Sequence, residues 1–158
     1  MLRKAFTASL VVVSFTALAC AQDKPNFSGT WKLNTVKSDF GMFPPVESGT
    51  EVIKHADPNL KISTTVEKGQ GKQQFTLNYT TDGKESVNKM GPGEMKSTVT
   101  WAGNVLVIDS KLNFNDADKD MTIKDKWTLS EDGKTKTIDS HLASAMGETD
   151  QKLIFEKQ

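Results

Sequence analysis

The chain has 158 residues, 36% of them apolar and 25% charged, which suffices for one domain with a core of its own but not for two. Its 20 basic and 20 acidic residues cancel, so no net field draws it to nucleic acid or to an anionic membrane. The single arginine is Arg3 and the single cysteine is Cys20, which leaves the rest of the chain without a planar guanidinium fork and without any internal disulfide.

Residues 1–21 read as an export signal. Arg3 and Lys4 give a basic start, Leu10 to Ala19 an apolar run, and small residues follow. The run is shorter than the ~20 residues that a membrane-spanning helix needs. Ala19-Cys20-Ala21 fits a cleavage site that would free Gln22, and Ala17-Leu18-Ala19 fits one as well. A soluble periplasmic or secreted monomer is expected. A lipid anchor at Cys20, making an outer-membrane lipoprotein, is the alternative.

Residues 22–158 then form one domain. Phe27, Gly29, Trp31 and Leu33 alternate, so an extended backbone sends all four to one face. Ser38 to Pro45 follows as a loop, because Pro44 and Pro45 block regular pairing. That loop carries Phe40, Met42 and Phe43, which must cover something: either a plugged core or a ligand cavity. Thr50 to Ala56 reads as a strand, Asp57-Pro58-Asn59 as a turn, and Leu60, Ile62, Thr64 and Val66 alternate next. Phe75, Leu77 and Tyr79 follow the Gly69–Gly71 turn and end at Asp82-Gly83. After a short run around Val87, Gly91-Pro92-Gly93 is a candidate break in the wall. Met95, Ser97, Val99 and Trp101 share a face, as do Leu106, Ile108, Leu112 and Phe114. So do Met121, Ile123, Asp125, Trp127 and Leu129. Lys134 to Ala143 and the stretch around Leu153 and Phe155 close the series.

These are about eight to ten short strands with almost no helical periodicity. One face of most is apolar and the other carries Lys, Thr and Ser, as for strands wet outside and packed inside. Short connections make sequence neighbours into sheet neighbours. The expected fold is all-β, an antiparallel up-and-down meander rolled into a barrel that removes exposed edges. A two-sheet sandwich is the alternative arrangement.

Little here suits catalysis or metal binding. No cysteine–histidine pair, Gly-x-Ser-x-Gly elbow, P-loop or His-Glu-x-x-His occurs. His55, near a turn, and His141, on the polar phase of its strand, read as surface residues. Asp116, Asp118 and Asp120 imitate a calcium loop, but Met121 stands where the glycine belongs and Trp127 where the closing carboxylate belongs. A solvated hairpin tip is expected. More telling are the polar residues on the inward phase: Thr64, Tyr79, Ser97, Ser110, Asp125 and Ser140. An unpaired buried carboxylate costs several kcal/mol or takes up a proton. Asp125 must therefore bond to neighbouring hydroxyls in a dry core or line a wet cavity.

Gly29-Thr30-Trp31 resembles the Gly-x-Trp that opens the first strand of lipocalin-like barrels, and the rhythm from Phe27 to Phe155 is similar to that of small exported bacterial lipocalin-like proteins. The resemblance implies carriage of a small, mostly apolar molecule inside the barrel, with neither cofactor nor catalysis. It also implies a cation stacked over Trp31, which Lys152 or Lys157 would have to supply. On this reading Trp31, Tyr79, Trp101, Asp125 and Trp127 face the ligand, and Phe40, Met42 and Phe43 form the lid. The alternative is a filled barrel acting through its outer face on a partner protein, as an inhibitor or envelope component does. A hollow of ~300 Å³ or more beneath the Phe40 loop favours carriage. A core packed with tryptophan across the axis favours the partner role.

Overall fold

A computed structural model describes residues 24–69, 71–114 and 120–158. The export signal, Cys20 and most of the acidic tip, from Asp116 to Lys119, lie outside them. The described chain is ten strands: β1 Gly29–Leu33, β2 Ser48–Ala56, β3 Asn59–Lys68, β4 Gly71–Thr80, β5 Glu85–Met90, β6 Gly93–Ala102, β7 Val105–Asn113, β8 Met121–Leu129, β9 Thr135–Ser144 and β10 Gly147–Lys157. They form one antiparallel sheet in the order β4-β3-β2-β1-β10-β9-β8-β7-β6-β5. Every neighbour in sequence is thus a neighbour in the sheet except β4 and β5, and β1 pairs with β10, Trp31 opposite Lys157. The meander rolls into a nearly closed barrel.

The seam lies between β4 and β5, which share no backbone ladder. Side chains bridge it instead. Asn88 accepts from the Asn78 N–H at 2.8 Å and donates to the Asn78 carbonyl at 3.0 Å, while Ser86 Oγ accepts from the Thr80 N–H at 3.1 Å. The expected break at Gly91-Pro92-Gly93 is corrected by this: Gly91-Pro92 is the tight connection from β5 to β6, which pair from Glu85 opposite Thr98 to Met90 opposite Gly93.

Period-two phasing assigns inside and outside as alternation requires. The core contains Phe27, Trp31, Ile53, Leu60, Ile62, Tyr79, Val99, Leu106, Ile108, Trp127, Ile138 and Phe155. Trp31 is fully buried, and its indole N–H donates to the Phe27 carbonyl at 2.8 Å. Gly29, at φ +142°, holds a backbone angle that an L side chain rarely takes, and Lys157 Cε lies 2.8 Å from where its Cβ would be. The missing side chain lets Lys157 lie across Trp31, its Nζ 5.3 Å from the ring centroid. Lys152 does not share that role; it pairs with Asp139, both half in solvent.

The two ends of the barrel differ. At one, the segment before β1 folds in as a cork: Phe27 lies 6.2 Å from Trp101, stacked, and 5.6 Å from Trp127, edge-on. His55 belongs to this cork, which corrects its reading as a surface residue. It is 8% exposed, its Nδ1 accepts from the Phe27 N–H at 3.2 Å, and its Nε2 meets Asp57 at 2.9 Å. Burial pushes the Asp57 carboxyl up, but bonds from Thr81 and His55 and the charge of Lys24 outweigh that and hold it below its ordinary value. His141 is half-exposed and meets Asp150 at 2.8 Å. At the other end the β1–β2 connection crosses the opening. It is stapled to β10 by paired backbone bonds between Asp39 and Lys152, and by Gln151 Nε2 donating to the Phe40 carbonyl at 3.0 Å.

Candidate functional site

A hollow of about 330 Å³ lies beneath that connection. Leu33, Phe40, Phe43, Val46, Val66, Phe75, Leu153 and Phe155 supply its apolar wall. The local sequence explains the shape. Gly41, at φ +57°, turns the connection so tightly onto β10 that a Cβ there would lie 2.3 Å from the Asp150 carbonyl oxygen. The turn directs Phe40 and Phe43 inward, both partly buried, while Met42 points away and is 54% exposed. Met42 therefore stands outside the hollow that its two neighbours cover. Its backbone N–H is tied down by Thr149 Oγ1 at 3.1 Å.

Below the hollow the barrel carries charge. Lys136 of β9 is completely buried and ion-paired with Glu51 of β2. Two strands, β1 and β10, separate β2 from β9 in the sheet, so the pair is no ladder neighbour. Lys136 Nζ sits 4.2 Å from the Phe155 centroid, 4.3 Å from that of Trp127 and 5.9 Å from that of Trp31. An ammonium over ring faces gains from their quadrupoles, and more so when desolvated. Burial pushes Lys136 down from its ordinary value, and the Glu51 carboxylate opposes that push.

Asp125 is the third charged group of the interior. Ser140 Oγ donates to it at 2.6 Å. Its side chain is intermediate in exposure, yet protein surrounds it on nearly all sides. That desolvation pushes its carboxyl up to about 6; the Ser140 bond pulls the other way, and Glu51 and Lys136 act in opposite senses. Tyr79 is also raised, by burial first and by the Asp125 and Glu51 charges after it. Ser97 and Ser110 satisfy each other across β6 and β7 at 2.7 Å. The indole N–H groups of Trp101 and Trp127 are buried without a hydrogen-bond partner among the described residues.

The expected ligand-facing set therefore divides. Phe40 and Phe43 cover the hollow. Trp31, Trp127 and Asp125 lie deeper, around the charged cluster, and Tyr79 lies in the core. Trp101 belongs to the corked end, stacked 6.0 Å from His55. Glu51, Lys136 and His55 are the inward residues that sequence reasoning passed over. Parity could have found them: Glu51 and His55 share a phase with Ile53, and Lys136 with Ile138 and Ser140. Among the described residues no group of three or more His, Cys, Asp or Glu side chains is placed to hold a metal ion, and no helix is long and apolar enough to cross a membrane.

No protein-family model and no curated protein matches the sequence. Solved structures match in fold. Zebrafish ileal bile acid-binding protein in complex with cholic acid aligns over 84% of this chain and 98% of its own, with a TM-score of 0.61 and 16% identity. A secretory abundant heat soluble protein from Ramazzottius varieornatus aligns over 83% and 94%, with a TM-score of 0.59 and 11% identity. Human cRBP IV aligns over 85% and 99%, with a TM-score of 0.52 and 14% identity. At such identities the likeness is one of fold alone, an antiparallel up-and-down barrel.

Proposed function

We propose that this protein is an exported, non-catalytic carrier that holds a small, mostly apolar molecule beneath Phe40 and Phe43. The observation that carries the reading is the hollow of about 330 Å³, walled by apolar side chains and roofed by a fixed loop. Small-molecule sites are concave, largely apolar and furnished with a few polar groups, and this one has Glu51, Thr64 and Gln151 on its wall. A neighbour of the same fold was crystallised in complex with a small steroid acid, cholic acid. Trp101 and Trp127 pack on Phe27 at the corked end, and none of the three tryptophans lines the hollow beneath Phe40 and Phe43.

The test is binding of the neutral fluorophore N-phenyl-1-naphthylamine, followed by its emission. Saturable binding is expected in the wild type. Replacing Phe43, at the roof, by Asp should weaken it at least ~tenfold, because the fluorophore would then share the hollow with a charge. Absence of saturable binding, or binding indifferent to Phe43→Asp, would refute a ligand site beneath this loop. Export is tested separately, by the N-terminal mass and compartment of the full chain expressed in a Gram-negative host.

A further inference from the structure

We infer that the hollow selects ligands whose inner end donates a hydrogen bond, an alcohol or an amine, over ligands headed by a carboxylate. The inference rests on the carrier reading and specifies the guest. Among the described residues Glu51 is the only charged one on the inner wall; Lys68, the other charged residue lining the hollow, is exposed at the rim, where water screens it. The remaining polar side chains are neutral, and Gln151 is already committed to the Phe40 carbonyl.

The two oxygens of Glu51 are not equivalent. Oε2 takes the Lys136 ammonium, whereas Oε1 has no protein donor among the described residues. A residue that lines the hollow with a vacant acceptor asks for a donor. The cation that could greet an anionic head is out of reach, because Lys136 is fully buried behind Glu51 between the Trp127 and Phe155 rings. A carboxylate head would have to draw Lys136 away from Glu51 and strand that carboxylate, or else sit against it as a like charge. Asp125, the second interior carboxyl, adds the same sign when ionised. An alcohol or ammonium at the same place meets an acceptor with a free lone pair.

Competition against bound N-phenyl-1-naphthylamine at pH 7.5 tests this with decanol, decylamine and decanoate, which share one apolar tail. Decanol and decylamine are expected to displace the fluorophore at concentrations at least ~tenfold lower than decanoate. Decanoate competing as well or better overturns the donor-head inference while leaving the carrier reading intact, as does failure of all three against a fluorophore that binds. A fluorophore that does not bind at all removes the carrier reading and this inference with it. The double variant Glu51→Gln/Lys136→Met deletes both charges together. It is expected to bring decanoate within ~threefold of decanol. Wild-type selectivity in the folded double variant would overturn the assignment to Glu51, and the wild-type comparison decides the matter even where that variant fails to fold.

Discussion

Replacing Asp125 by Asn should make the barrel more stable at pH 8 and leave it nearly unchanged at pH 4. The carboxyl, ordinarily near 3.8, is raised to about 6 by burial. Between those two values the folded chain holds a proton that the unfolded chain has released. Stability therefore falls as pH rises through that window and levels off above about 6. The gap of about 2 pH units converts, at ~1.4 kcal/mol each, to a ceiling of ~3 kcal/mol. The residual exposure of Asp125 softens this, so ~1–3 kcal/mol is the expected gain. Asn retains an oxygen to accept from Ser140, which keeps the local bond that Asp125 makes at 2.6 Å. Asp57 acts in the opposite sense, since its lowered value adds stability as pH rises, but it is common to both proteins and cancels in the difference. Urea unfolding followed by tryptophan fluorescence at pH 4, 6 and 8 gives the measurement. A difference that is the same at pH 4 and pH 8, or an Asn variant less stable at pH 8, would refute the argument that Asp125 is a desolvated carboxylate.

Three further outcomes follow from the same geometry. Lys136→Met alone should cost ~3–5 kcal/mol in urea unfolding, because it leaves Glu51 unpaired, whereas Glu51→Leu/Lys136→Met should recover most of that loss. Equal losses in the single and double variants would mean the pair matters for shape and not for charge. Gly41→Ala should cost about 1–3 kcal/mol, from the left-handed backbone at φ +57° and the crowding by Asp150, with faster amide exchange at Asp39 and Met42 as the local sign. Asn88→Ala should cost ~1–3 kcal/mol and speed exchange of the Asn78 amide, which has lost its acceptor; unchanged exchange there would show the seam is held by something else.

Much of the wall was legible because period two is rigid: once Trp31 is inside, Leu33 is too, and turns such as Asp57-Pro58-Asn59 and Asp82-Gly83 mark where strands reverse. Asp125 and Ser140 were placed inside by the same parity, and they bond as ladder partners. What parity does not convey is company. Lys136 has the phase of Ile138, but a lysine looks like a wet residue until its partner is known, and Glu51 lies 85 residues earlier in the chain and is not a ladder neighbour. His55 has the phase of Ile53, yet its burial depends on Phe27 folding over it from outside the strands. The connection carrying Met42 has no periodicity, and which of its apolar side chains turns inward follows from the backbone angle at Gly41 and its staples to β10. The seam was misplaced for a related reason. Gly91-Pro92-Gly93 looks like an interruption, whereas β4 and β5 part beside the ordinary-looking turn at Asp82-Gly83.

The cork at Phe27 has a consequence for how the molecule could be mounted. β1 runs from the corked end towards the hollow, from Gly29 beside His55's strand terminus to Leu33 on the wall of the cavity. Whatever precedes Lys24 in the polypeptide is thus attached at the pole remote from Phe40 and Phe43. A tether there, of lipid or of protein, would hold the barrel like a cup by its base, leaving the rim free to exchange its contents with the surrounding fluid.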